Sequence, residues 1–260
     1  MPRVETNAAA QKIKIVRSFF ERLDDFKKQE EQSLPLLGRF LERLEVKLPK
    51  LQDEEKSWRR ATAPNFNVFR VLHLERRETK LHSRFLAELL DPKGIHDQGD
   101  RFLTAFLELL ENVRLHRPAE WRPDWVWKIR TEEVIRPAQV GDTRSAISEL
   151  YRLDIVLRCE QGKFIMVIEN KVDAAESDNQ LFHYEEWLQK QRRFDFRNLV
   201  FLTPDGREPE TISKDKCLCL SYREHVTEWL RNMANEIKPQ RDLSHLHFAI
   251  DQYLQLLDSL

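Results

Sequence analysis

Apolar residues near the start of the chain recur in a helical rhythm. Ile13, Val16, Phe19, Phe20, Leu23 and Phe26 follow one another at steps of three, three, one, three and three, one stripe of a 3.6-residue repeat. The spacing predicts a helix over residues 8–30. Pro35 opens a second apolar-periodic run, Leu36 to Leu48, which Pro49 is expected to close, leaving residues 50–63 as a loop or exposed helical turn. Residues 1–60 therefore read as a helical N-terminal extension, a lid or a partner-binding face, and residues 61–260 as the main domain.

Helical spacing returns from Phe66 to Leu90, stopped by the turn residues Asp91-Pro92-Lys93-Gly94, and another helix is expected over residues 99–114. Strand character begins near Trp127, where Ile129, Val134 and Ile135 lie among polar neighbours, and Pro137 and Gly141 mark its end. The two clearest strands are Leu153 to Cys159 and Phe164 to Asn170, separated by Glu160-Gln161-Gly162-Lys163, and they read as a hairpin. A helix over residues 176–193 carries Leu181, Tyr184, Trp187 and Leu188. Strands Leu199 to Thr203 and Cys217 to Ser221 follow, then helices near 223–236 and 243–258. This order fits an α/β fold, a mixed central sheet flanked by helices, with a right-handed parallel crossover from residue 164 to 203.

Composition removes several classes of function. The 260 residues include 43 basic and 44 acidic side chains, a formal charge of -1, so bulk charge names no partner. A nucleic-acid binder of this balance must gather its cations locally, because phosphate attraction depends on local potential. The three cysteines, Cys159, Cys217 and Cys219, lack both disulfide-framework and zinc spacing, which points to a reducing cytoplasm; Cys217 and Cys219 read as core thiols. No signal core or membrane-length apolar window is present, so a soluble protein is expected. Gly94 and Gly99 have GxxxxG spacing but continue into Asp100-Arg101, which excludes a phosphate-binding P-loop. No GxGxxG, GxSxG, HExxH or EF-hand pattern occurs.

The hairpin carries the chemistry. If Cys159 faces Phe164, Asp154 faces Glu169, and two carboxylates meet on one sheet face with Cβ atoms about 4.5–5.5 Å apart. Such a pair destabilises the sheet unless something neutralises it, and a divalent cation would do so. Lys171 shares the face of Glu169, while the Asn170 side chain points away and leaves its carbonyl near the site. Both strands are otherwise apolar, so the charges are costly to desolvate without pairing or a metal. An ordinary ion-pair cluster at a sheet edge is the alternative.

Asp154 followed fifteen residues later by Glu169-Asn170-Lys171 resembles the D…ExK signature of the PD-(D/E)xK nuclease superfamily, with Leu153 where the name has Pro. Gln180 and Tyr184 match the QxxxY helix motif of its RecB and lambda-exonuclease type. Pro64 to Phe69, Glu78, His82-Ser83, Leu86-Ala87, Leu89 to Pro92 and His96 with Phe102-Leu103 are similar to the N-terminal helices of a bacterial branch of that superfamily. The resemblance implies Mg²⁺ or Mn²⁺ held by Asp154, Glu169 and the Asn170 carbonyl. Lys171 would orient water or stabilise charge on the phosphate, Gln180 would position a catalytic group, and Glu78, with Glu75 as its rival, would complete the acidic set. It implies hydrolysis of nucleic acid, DNA in preference to RNA, in bacterial defence against foreign DNA. A catalytically silent nuclease-fold binding module and an RNA-cleaving toxin are the competing functions.

Several residues stay open between two roles. His82 and His96 are metal ligands or hydrogen-bonded structural histidines, Tyr184 and Trp187 are core or nucleic-acid contacts, and Gln180 positions a group or caps a strand. Lys190, Arg192, Arg193 and Arg197 form a backbone-binding track or a solvated face, as do Trp58, Arg59 and Arg60. Nucleic acid is the expected partner, with a protein partner or a homo-oligomer formed through the N-terminal helices.

Overall fold

The computed structural model describes residues 13–20, 34–122, 124–136, 150–174, 176 and 179–260. The chain forms two compact units that divide between Phe66 and Asn67. In the first, residues 13–20 are helical (α1) and α2 spans Leu34–Thr62. The rest of the helix expected over 8–30 lies outside the described residues. α2 runs through Pro49 instead of ending there, so of the loop or exposed helical turn expected over 50–63 the structure has helix. Proline removes one N–H from the helical ladder, and the polar segment beyond it stays helical with pairs such as Glu55 and Arg59, 2.7 Å apart at one-turn spacing.

The second unit opens at Asn67, whose side-chain oxygen accepts the N–H groups of Phe69 and Arg70 and caps the single turn α3, Val68–Val71. His73, at φ +54°, then diverts the chain. The continuous helix expected from 66 to 90 is thus three pieces: α3, a π-helical turn Glu78–Ser83, and α4, Arg84–Leu90. α5 covers Arg101–Glu111.

Strands β1 (Trp127–Ile135), β2 (Tyr151–Cys159), β3 (Phe164–Asn170), β4 (Phe196–Thr203) and β5 (Leu218–Ser221) form one sheet in that order. β1, β2 and β3 pair antiparallel, while β3, β4 and β5 pair parallel. α6, Gln180–Gln189, links β3 to β4, and α7, Thr227–Ile237, and α8, Ser244–Leu257, complete the unit. The α/β architecture with a mixed, helix-flanked sheet is as the sequence pattern predicts. One sheet face packs Ile155, Met166, Ile168 and Val200 against α4, α5, α7 and α8. The other packs Val156, Ile165, Val167 and Phe201 against Leu181, Tyr184 and Leu188 of α6. β3 is buried along its length, as a central strand covered on both sides must be.

The β2–β3 hairpin pairs Cys159 with Phe164 and Ile155 with Ile168, so Asp154 and Glu169 occupy facing positions. Its turn closes through Lys163, φ +49°, whose N–H donates to the Glu160 carbonyl at 3.1 Å. Gly162 is required there, since a Cβ would stand 2.5 Å from the Trp125 ring.

β1 breaks the alternation rule. Trp127 and Ile129 join the first core and Ile135 the second, although strict period-two spacing keeps all three on one face. The switch falls at Glu132, which sits at φ +54° in mid-strand. Thr131 pairs with Ile155 and Glu133 with Leu153, so Glu132 lies opposite Asp154. Among the described residues, no helix is long and apolar enough to cross a membrane.

Candidate active site

The end of β3 gathers the charged groups. Asp154 on β2 is half-buried, and its Oδ2 accepts the N–H of Asn170 at 2.9 Å, so the aspartate is fixed by the strand it faces. Glu169 is 1% exposed. Lys171 Nζ lies 2.9 Å from Glu169 Oε1, but off the line of a hydrogen bond, so the contact is an ion pair. Neither Glu169 oxygen receives a hydrogen bond from a described residue. The Lys171 ammonium is then what offsets the lost hydration of this buried carboxylate, and one ion pair recovers only part of a cost of several kcal/mol for an ionised group.

The electrostatics follow. Burial raises the Asp154 carboxyl from 3.8 to about 6, with Glu78 and Glu132 adding repulsion and Asn170 and Lys171 opposing. Glu169 is pushed up to about 8, by burial first and then by Asp154. Burial alone would lower the Lys171 ammonium; Glu169, Glu78 and Asp154 outweigh it and hold the group above the ordinary lysine range. Two reluctant carboxylates beside a persistent cation make a site that gains from a further positive charge.

Glu78 comes from the π-helical turn, and its Oε1 accepts the N–H groups of Val172, Asp173 and Ala174 at 2.7, 3.2 and 3.3 Å. It therefore clamps the segment that follows β3. The rival Glu75 has a buried Oε2 without a described partner. The Asn170 side chain points to the opposite sheet face: it donates to Ser83 Oγ and the Glu78 carbonyl, and accepts from the Tyr222 hydroxyl at 2.8 Å. That cross-tie of Ser83, Asn170 and Tyr222 escaped sequence reasoning, although Ser83 stood in the helical segment singled out there.

A family model for the PD-(D/E)XK nuclease superfamily matches residues 66–255. The chain belongs to this superfamily. No curated protein and no solved structure matches it. A PD-(D/E)XK nuclease acts on nucleic acid, and divalent metals are typical of the superfamily. Among the described residues no group of three or more His, Cys, Asp or Glu converges as a metal site. The fit is to a cation that takes few side-chain ligands: Mg²⁺ prefers oxygen and keeps several waters, and the Glu169 carboxylate facing Asp154 offers it oxygens that no described hydrogen bond occupies.

The other candidates resolve by position. His82 is fully buried, with Nδ1 2.8 Å from the Tyr253 hydroxyl and Nε2 3.0 Å from the Glu75 carbonyl; burial lowers its pKa and it is a structural histidine. His96 spends its ring on the Asp91 carbonyl and the Gln98 N–H. Tyr184 is fully buried, so the expectation of a nucleic-acid contact is corrected: its hydroxyl donates to the Arg152 carbonyl at 2.6 Å and accepts from Gln180 Nε2 at 2.7 Å. Gln180 keeps its Oε1 buried without a described partner. Lys190, Arg192 and Arg193 are exposed after α6, in a loop tied to the start of β3 through the Asp195 and Phe196 N–H bonds to the Lys163 carbonyl. With seven residues in β3 at about 3.3 Å each, that is roughly 20 Å from Glu169. Arg197 donates to the Phe194 carbonyl.

Proposed function

We propose that the chain is a divalent-metal-dependent nuclease that hydrolyses phosphodiester bonds of nucleic acid. The resemblance favours DNA over RNA and a role in bacterial defence against foreign DNA, and the cysteine usage favours a reducing cytoplasm. The observation that carries the reading is Glu169, a buried carboxylate with undonated oxygens, facing Asp154 and held against Lys171.

Mg²⁺ or Mn²⁺, when bound, supplies a Lewis acid that offsets charge on the scissile phosphate and lowers the pKa of water. Asp154, Glu169 and the Asn170 carbonyl are the groups that would hold it. Lys171 keeps its proton, so its role is to orient the attacking water or to stabilise charge on the phosphate oxygens rather than to act as the base. Glu78 fixes the segment after Lys171 through its three N–H contacts. Gln180 and Tyr184 fix β2 beside Asp154 through the Arg152 carbonyl. Residues 1–60 remain the proposed helical extension for a protein partner or a second copy, with 61–260 as the nuclease domain.

The test is cleavage of circular DNA, linear DNA and RNA by purified protein with Mg²⁺, Mn²⁺ or EDTA. DNA cleavage that EDTA stops and Lys171→Ala abolishes is expected. Binding without cleavage under either metal identifies the silent module, and cleavage confined to RNA identifies the toxin.

A further inference from the structure

The acidic site needs cations to draw a polyanion toward it, and the basic run after α6 is at the other end of the sheet. Of the exposed arginines at the correct end, Arg76 is paired with Asp173 and Arg207 is bonded to the Ala174 carbonyl, while Arg84 and Arg152 share one partner. Arg152 lies two residues before Asp154 on β2, and its carbonyl is held by Tyr184. Arg84 follows Ser83, which is bonded to Asn170, at the start of α4. Both guanidinium groups turn to Glu132: Arg152 Nη1 is 3.1 Å from Oε1, and Arg84 Nη2 is 3.8 Å from Oε2. Their side chains are 63% and 64% exposed, whereas Glu132 is 30% exposed.

Glu132 is also where β1 adopts a left-handed backbone opposite Asp154. A non-glycine residue there costs of order 1–3 kcal/mol, and such strain persists only where surroundings enforce it. The ladder skips the Glu132–Asp154 pair and resumes in the same register at Glu133 and Leu153, so the left-handed residue marks a local kink in β1 rather than a turn. Its consequence is to bring one carboxylate between two arginines from different elements.

We propose that Arg84 and Arg152 form a two-point clamp for the phosphodiester backbone beside the cleavage site, and that Glu132 is the positioning residue that presents them and yields them to phosphate. The proposal rests on the nuclease reading above. Arginine binds carboxylate and phosphate through the same charge-assisted contacts, and each exposed pair here rests on a single contact, so exchange costs little and leaves both guanidinium groups near one point. The ligand is the sugar–phosphate backbone, and the same clamp would accept DNA or RNA.

The experiment measures binding of labelled single-stranded DNA, duplex DNA and RNA to the full chain across a salt series, with Ca²⁺ as the metal, alongside Mg²⁺-dependent cleavage. Arg84→Ala and Arg152→Ala should each flatten the slope of log affinity against log salt by about 1, and together by about 2, on whichever nucleic acid the wild type binds. Thermal unfolding should be nearly unchanged, since exposed ion pairs contribute little. Glu132→Gln should tighten binding about threefold, and that gain should vanish in the Arg84→Ala/Arg152→Ala background. Unchanged slopes in the arginine variants, with the loss appearing instead on Lys190→Ala/Arg192→Ala/Arg193→Ala, would overturn the clamp. A Glu132→Gln gain that survives without both arginines would overturn the positioning role. Wild type that cleaves normally while the arginine variants bind unchanged refutes the clamp alone; wild type that neither binds nor cleaves refutes the nuclease reading as well.

Discussion

The two ends of the central β2–β3 hairpin are built on opposite principles. At the turn end, Phe164 packs edge-on against Trp121 and Trp127 with ring centroids 5.2 and 5.7 Å away, and Gly162 makes room for Trp125. At the other end, Glu169 is buried opposite Asp154 with the Lys171 ammonium as its ion-pair partner. Each end has one left-handed side-chain-bearing residue. Lys163 is in a tight turn, where that conformation closes the hairpin; Glu132 is in mid-strand, where pairing alone does not call for it. Folding explains the first end in full. The second carries desolvation that the Lys171 ion pair offsets only in part, and backbone strain at Glu132.

That contrast breaks most sharply under paired substitutions. Lys171→Ala should lower the cleavage rate about 10³-fold in protein that is still fully folded, beyond whatever stability the broken Glu169 pair costs. Phe164→Ala should do the reverse, costing about 3–5 kcal/mol of stability while folded protein still cleaves. If both variants, while folded, lose cleavage alike, the ends do not differ in kind. Gly162→Ala, a milder version of the same test, should cost about 1–3 kcal/mol through Trp125 and leave cleavage by folded protein unchanged.

The electrostatic half of the comparison is testable by pH. Folding raises Asp154 from 3.8 to about 6 and Glu169 from 4.5 to about 8. The native state therefore holds these protons more tightly than the unfolded chain. Their contribution to stability is complete below about pH 4 and is lost as pH rises through 6 and 8. Metal-free wild type should lose stability over that window, and Glu169→Gln, which cannot ionise, should flatten the profile and so gain on wild type toward its alkaline end. Mg²⁺ at about ten times its dissociation constant should return about 1.4 kcal/mol to wild type. The smallest change is expected from Lys190→Ala/Arg192→Ala/Arg193→Ala, within about 0.5 kcal/mol in unfolding.

Much of this was legible in the residues. The apolar runs of β2 and β3, with a four-residue turn between them, were enough to set the register that brings Asp154 to Glu169. Helix boundaries were less legible. A proline inside α2 and a left-handed His73 after α3 are decided by neighbouring contacts rather than by local propensity. Tyr184 looked equally suited to core and contact, and only its full burial and its bond to the Arg152 carbonyl distinguish them. Glu132 was hidden because a glutamate between Thr131 and Glu133 looks like an exposed strand position. The sequence carries no signal of it, since Trp127, Ile129 and Ile135 keep one parity and only the fold sends Ile135 to the other core. The basic run after α6 attracted notice because it is contiguous, whereas Arg84 and Arg152 are separated in sequence and meet only through Glu132.

The central claim is that Asp154 and Glu169 share one divalent ion. Calorimetric titration of Mn²⁺ into wild type, Asp154→Asn and Glu169→Gln at matched pH in buffers of different ionisation enthalpy tests it most directly. One ion bound by wild type with release of protons, and neither binding nor release in the two variants, is the predicted result. Equal Mn²⁺ binding by all three proteins, or binding that releases no proton near neutral pH, would contradict it.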